Sequence, residues 1–359
     1  MLANSKLKLE CLAIGSLPHK NLDDAMQLVS QNFSNVPFWP QLVKIKKNED
    51  MIFQFLENMP SFFLEDEKFY LETESEKFYE EIEQFFIDYE NIIEDYTCDD
   101  IEKYAITSNN SSSFNKFIDI IKQSKPSYAK GQIVGPFTLS TTLVDKLGRC
   151  AIYDETLREI IVKTLIIKAL WQIKQIKLAN PNTTPIIFLD EPSISQLGTS
   201  AFITICQNDV IKMFSEIITA LKNADALVAI HCCGKCDWHV PILAKIDIIN
   251  LDAFAYAQNL SLFEDDIKKF LIGNGKIAWG VVPTLDKNIL EKIELEELIQ
   301  VFDKAVKYLT KKGIDEKIII ENSLITPSCG AGGLDEKLAR KAMNLTKQLS
   351  DYLKERYAN

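Results

Sequence analysis

From about residue 130 to the C-terminus, short apolar runs alternate with longer stretches in which apolar residues recur at helical spacing. Apolar runs of strand length, each followed by a helical pattern, are the signature of βα units around a parallel sheet covered on both faces. The pattern predicts strands over 132–137, 186–191, 227–233, 246–252, 277–282 and 318–322. A run at 12–16 adds a seventh strand and a weaker one at 36–43 an eighth. Eight units predict an α/β fold, a single (β/α)8 TIM barrel, and 359 residues suit one barrel occupying the whole chain, 1–359.

The first third breaks this rhythm. Residues 57–103 are acidic and aromatic-rich without a clear strand, and in EKFYEEIEQFFIDYENIIEDY the Phe and Tyr positions recur at helical spacing. This predicts a helical insertion over about 57–105, packed on the barrel through its apolar face. A lid or a donor-docking element is the sharper alternative. The stretch TSNNSSSF at 107–114 reads as a polar loop, and no repeat or Pro/Gly-rich linker marks a second domain.

Composition narrows the chemistry. Hydrophobic residues make up 47% and charged residues 25%, as in a globular protein with a large core. A net charge of −11 sets the molecule against phosphate backbones and anionic membranes, so neither nucleic acid nor a membrane is an expected partner. No long uncharged apolar segment is present, and MLANSKLKLE lacks the apolar core of a signal peptide, which predicts a cytoplasmic protein. Its eight cysteines are then expected as reduced thiols. Cys11, Cys98, Cys150 and Cys206 are scattered, whereas Cys232, Cys233 and Cys236 crowd together with two of the three histidines, His231 and His239.

That crowd is the strongest local signal. The segment Ala229-Ile230-His231-Cys232-Cys233-Gly234-Lys235-Cys236 runs from an apolar strand straight into imidazole and thiols, at the end of the strand where barrel active sites lie. Side chains two apart on a strand share a face, so His231 and Cys233 point together and Cys232 points away. Cys329, in the glycine-rich loop after the last strand, can supply a third donor. Two thiolates and an imidazole suit Zn2+, and three ligands leave one exchangeable position. The plainer alternative is a pair of core thiols beside a satisfied histidine. Cys233 and Cys236 also form a C-x-x-C, which alone reads as a redox pair or half of a zinc ribbon, but no second C-x-x-C exists to complete a ribbon.

Other polar residues close predicted strands. Asp252 is a candidate fourth, displaceable metal ligand, while Asp190 and Glu191 are candidates for catalysis or for binding a substrate ammonium group. Each has the alternative of capping a helix, the usual task of an acid after a strand. Gly15 and Ser16 offer backbone and hydroxyl donors for a carboxylate, and His19 reads as a rim residue.

Taken together, Ile14-Gly15-Ser16-Leu17-Pro18, Gly135-Pro136-Phe137-Thr138-Leu139, Leu189-Asp190-Glu191-Pro192, His231-Cys232-Cys233, Leu251-Asp252 and Pro327-Ser328-Cys329-Gly330 resemble the catalytic, C-terminal barrel of the cobalamin-independent methionine synthase family. That family lies within the wider group of barrels related to uroporphyrinogen decarboxylase. The resemblance implies His231, Cys233 and Cys329 as zinc ligands, with Asp252 standing where the family has a Glu ligand. It implies Ser16 at the amino acid part of homocysteine and Asp190 at its ammonium group.

The departures matter as much. The chain has the equivalent of one barrel where the family's long enzymes have two, and its seventh strand, Gly280-Val281-Val282-Pro283-Thr284, lacks the histidine that supports transfer from folate. No glutamate that would grip homocysteine is apparent near Phe38-Trp39-Pro40-Gln41. This looks like the short, core-type methionine synthases, which take the methyl group from a corrinoid, often on a partner protein. His231-Cys232-Cys233-Gly234 also resembles the H-x-C-G of coenzyme M methyltransferases. The expected function is therefore zinc-dependent methyl transfer to a small-molecule thiol, homocysteine first, from a methylcorrinoid. The rivals are a metal-free decarboxylase and a non-catalytic zinc or corrinoid carrier. A decarboxylase of polyanions would want arginines on the rim, and the only four, Arg149, Arg158, Arg340 and Arg356, end no predicted strand.

Overall fold

The apolar runs become parallel strands wherever both of their faces can be covered. The structure, a computed structural model, describes residues 7–65 and 68–358. A small antiparallel hairpin, β1 (Phe62–Glu65) and β2 (Lys68–Leu71), comes first. The main sheet follows as β3 (Tyr128–Val134), β4 (Thr184–Asp190), β5 (Leu227–Cys232), β6 (Ile248–Leu251), β7 (Lys276–Val282) and β8 (Ser323–Pro327). These six are all parallel and pair in sequence order, giving a half-barrel in a mixed α/β fold.

The sheet separates two cores. Ile186, Phe188, Ala229, Ile248, Ala278 and Leu324 cluster on one face together with Leu12 and Val36. Their strand neighbours Ile187, Leu189, Val228, Ile230, Ile249, Ile277 and Ile325 join the larger core shared with the helices. That is the period-2 alternation of strands buried on both sides.

The early runs at 12–16 and 36–43 make single bridges in place of ladders: Cys11 with Ile325 of β8, Ser16 with Gln41, and Phe38 with Lys130 of β3. The Leu12 N–H donates to Ile325 O at 2.9 Å, and the Lys130 N–H to Pro37 O at 2.8 Å. Pro18, Pro37 and Pro40 have no N–H to give, which keeps these segments from regular pairing. The expected strand 318–322 is wrong. Those residues lie mostly in the helix Glu316–Glu321, and β8 starts directly after it. The Ile318-Ile319-Ile320 run has the composition of a strand, but the Asp315 side chain accepts from the Lys317 N–H and starts a helix that buries Ile319 and Ile320.

Gly280 in β7 has a steric role. A Cβ there would meet Leu251 O at 2.4 Å, so only glycine lets β7 pass so close to the end of β6.

The insertion is not all helix. After the hairpin come the helix Glu76–Glu94 and a 3-10 turn, Asp99–Tyr104. Both dock on the 25-residue helix Glu155–Ala179, which is buried on nearly every side because the insertion covers its outer face. Lys168 Nζ donates to Glu57 O at 2.6 Å and Ala105 O at 3.4 Å, and Trp171 Nε1 to Glu102 Oε2 at 2.9 Å. Among the described residues, no helix is long and apolar enough to cross a membrane.

Candidate metal centre

Strand alternation delivers the donors. His231, next to last in β5, and Cys233, just past its end, face the same way, and the loop after β8 brings Cys329 to them. One ligand atom from each residue lies within 4.8 Å of the others. Cys232 faces away, fully buried in the helix-side core, as alternation requires. All eight cysteines are free thiols.

The histidine is oriented by a neighbour that the sequence reading passed over. Asn250 of β6 pairs with His231 in the sheet register, and Asn250 Oδ1 lies 2.5 Å from His231 Nδ1. Asn250 Nδ2 donates to Ala278 O and to Thr326 Oγ1, each at 2.8 Å. With both amide hydrogens used, the amide oxygen must accept, so Nδ1 carries the proton and Nε2 keeps its lone pair. Nε2 is buried and has no hydrogen-bond partner. A bare imidazole nitrogen facing two thiols is a donor set that fits a thiophilic metal ion.

The third donor is pinned by its backbone. The Cys329 N–H donates to Thr284 Oγ1 at 3.0 Å, and the Gly332 N–H to Ser16 Oγ at 3.2 Å. Hydrogen bonding from Cys329 pulls the Cys233 thiol well below its ordinary range, and the same contact pushes Cys329 up. The cluster therefore already favours one thiolate at Cys233.

The centre opens into a cavity of about 420 Å3 lined by Ser16, Gln41, Glu49, Asp50, Asp190 and the three donors, among others, with no Lys or Arg in its wall. Two larger grooves, of about 600 and 560 Å3, hold neither histidine nor cysteine. Asp190 is 3% exposed, and its Oδ1 has no hydrogen-bond partner. Burial pushes its carboxyl up, while the fully buried Lys130 ammonium and His231 pull it down. Lys130 Nζ donates to Ile14 O and, at 2.9 Å, to Gln132 Oε1.

The other expected site residues do not join the donor group. Glu191 turns out of the cavity and holds the start of the helix Pro136–Thr142. It accepts from the Phe137 N–H at 2.8 Å, the Thr138 N–H at 2.9 Å and Thr138 Oγ1 at 2.6 Å. Asp252 stays outside the donor group, where it accepts from the Ala255 N–H at 2.9 Å as a helix cap, and burial pushes its carboxyl up to about 6. Gly15 does not line the cavity, and a Cβ there would come within 3.2 Å of Gln41 Oε1. His19 is no rim residue: it is fully buried, both ring nitrogens lack partners, and burial pushes its pKa down.

Sequence reasoning missed Gln41, Glu49 and Asp50. Glu49 sits in the charged run KKNED yet is fully buried, accepting from the Leu42 N–H at 3.0 Å, the Ser112 N–H at 2.8 Å and the Ser112 hydroxyl. The available cue was an acid pair running directly into Met51-Ile52-Phe53, which carries charge toward the core. The polar loop around Ser112 holds that wall in place. Compared with known proteins, the chain matches no family model, and no curated protein is significantly similar to it.

Proposed function

We propose that the chain is a zinc-dependent thiol methyltransferase, acting first on homocysteine, built on a (β/α)8 barrel that the bridged segments at 11–16 and 38–41 complete. The observation that carries the reading is the His231 Nε2 lone pair, fixed by Asn250 and grouped with two thiols in the wall of an acidic cavity. His231, Cys233 and Cys329 would hold the zinc and leave one position for the substrate sulfur. Bound zinc supplies Lewis acidity, which keeps a substrate thiol deprotonated at neutral pH.

The protein side chains do the rest. Asp190, whose Oδ1 has no hydrogen-bond partner, receives the substrate ammonium, and the Ser16 hydroxyl, which accepts from Gly332, has its own hydrogen free for a substrate carboxylate. Held at both ends, the substrate sulfur faces the methyl donor with little orientational freedom to lose. A wall carrying Glu49, Asp50 and Asp190 without Lys or Arg favours an ammonium-bearing thiol over the sulfonate of coenzyme M, and it disfavours a polyanionic decarboxylase substrate. A methylcorrinoid, free or on a partner protein, remains the proposed donor, because no histidine lies in 280–284. The thiols suit a reducing, cytoplasmic setting.

The test is to load the protein with zinc, add methylcobalamin, and follow its demethylation with homocysteine or coenzyme M. Expected are about one zinc per chain, turnover with homocysteine, little with coenzyme M, and loss of both metal and turnover in Cys329→Ser. A protein that binds no zinc and demethylates with no thiol would overturn the reading.

A further inference from the structure

The polar loop 107–113 reaches the cavity wall through two buried amides. Ser113 Oγ donates to Pro40 O at 2.6 Å, so the loop grips the chain next to Gln41, which lines the cavity. Gln54 Nε2 donates to Asn110 O at 2.7 Å, and Gln41 Nε2 donates to Gln54 Oε1 at 2.9 Å. Asn110 is held in turn, its Nδ2 donating to Glu57 Oε2 at 2.8 Å. Gln41 is 4% and Gln54 0% exposed. The chain of bonds has one direction. A backbone carbonyl can only accept, so Gln54 turns its NH2 to Asn110 and its oxygen to Gln41, and Gln41 must answer with its own NH2. The Gln41 amide oxygen is thereby turned away from Gln54 and lies beside Gly15; among the described residues it meets no hydrogen-bond donor. Gln41 also flanks Ser16: its N–H donates to Gly15 O at 3.2 Å, and the Leu17 N–H to Gln41 O at 3.0 Å.

We propose that Gln54 is a positioning residue for substrate specificity, setting Gln41 so that its amide oxygen accepts from the ammonium of an α-amino acid thiol. The inference rests on the reading of the cavity as the thiol site, with Ser16 at the substrate carboxylate. The ammonium and carboxylate of an α-amino acid share one carbon, so a substrate anchored at Ser16 carries its ammonium to the neighbouring Gln41. An amide donates at one end and accepts at the other. Turned about, Gln41 would offer hydrogens, which repel an ammonium and suit an anion. A glutamine in water turns at little cost. Here reversal would set oxygen against oxygen, at Gln54 or at Asn110, inside a buried site where an unmade hydrogen bond is expensive. The relay thus fixes the sign of the selectivity. Asp190 supplies the opposing charge, and Gln41 adds an acceptor without burying another one.

The experiment measures binding, with no methyl donor present. The zinc-loaded full chain is titrated in a calorimeter with homocysteine and with γ-mercaptobutyrate, the same thiol without its ammonium. The parent should prefer homocysteine. Gln54→Met should narrow that preference roughly tenfold, the order expected for one hydrogen bond to a charged group. Gln41→Met should do the same; it leaves the bond from Gln54 to Asn110 in place and serves if Gln54→Met does not fold. The double variant should be no less selective than Gln41→Met, because Gln54 acts only through Gln41. A role in packing alone would weaken both ligands alike. That result, an unchanged preference in the folded variants, or a parent that binds both thiols equally, overturns the proposal. A parent that holds no zinc or binds neither thiol overturns the reading of the site itself, and the relay with it.

Discussion

At the scale of single residues, Asn250 decides which nitrogen of His231 meets the thiols. Its two amide hydrogens are committed to Ala278 O and Thr326 Oγ1, so its oxygen can only accept. Replacing it with alanine frees the ring to rotate and to change tautomer. Asn250→Ala should therefore lower zinc affinity roughly 10–100-fold, the usual cost of losing such a support. Competition against a chelator of known affinity measures it, with circular dichroism to check the fold; unchanged affinity would mean that the ring is held by packing alone. The donors themselves were legible because alternation separates His231 and Cys233 from Cys232. Asn250 was not, although a lone polar residue in the buried run Ile248–Leu251 was a cue. Asp190 and Glu191 looked equivalent in sequence, yet one faces the cavity and the other grips a helix, a difference set by where β4 ends.

At the scale of elements, one buried lysine ties both ends of the insertion to the long helix. Lys168 Nζ donates to the carbonyls of Glu57 and Ala105, the two ends of the predicted insertion. Burial pushes its pKa down to about 7, with Glu57 opposing, and a neutral amine still has the two hydrogens these carbonyls require. Lys168→Met leaves the carbonyls without this partner and should cost about 1–3 kcal/mol. The pH dependence has a definite sign. Below about pH 7 the amine is protonated in both the folded and the unfolded chain; between there and its ordinary value of 10.5 the unfolded chain binds the extra proton. Stability then rises with pH through this window. The parent should gain on Lys168→Met between pH 7 and 9, read as the difference in denaturation midpoint; a constant gap would show the lysine charged throughout. The existence of the insertion and most sheet strands was legible from periodicity. Its hairpin was not, because four-residue strands are too short to show alternation, and the Ile318–Ile320 run misled because only its Asp315 cap distinguishes helix from strand.

At the scale of the molecule, the donor group ties together parts that the sheet leaves apart. Strands β5 and β8 are separated by β6 and β7, and the Cys329 loop is joined in turn to the first bridged segment, where the Ala331 N–H donates to Ser16 O at 2.9 Å. A metal held by His231, Cys233 and Cys329 thus closes a circuit across the cavity mouth, and its binding free energy adds directly to folding. The addition follows RT ln(1 + [L]/Kd), about 4 kcal/mol at a thousandfold excess of free zinc over Kd. Chelation should lower the thermal midpoint, restored by added zinc, and Cys329→Ser should abolish that dependence. The loss should also be local. Amide hydrogen exchange should quicken first at 328–333 and 14–17, the segments joined through the circuit, while the helix Glu155–Ala179, buried far along the chain from these ligands, keeps its protection. Uniform quickening across both regions would mean that the metal supports the whole fold; none at 328–333 would mean that Cys329 is no ligand.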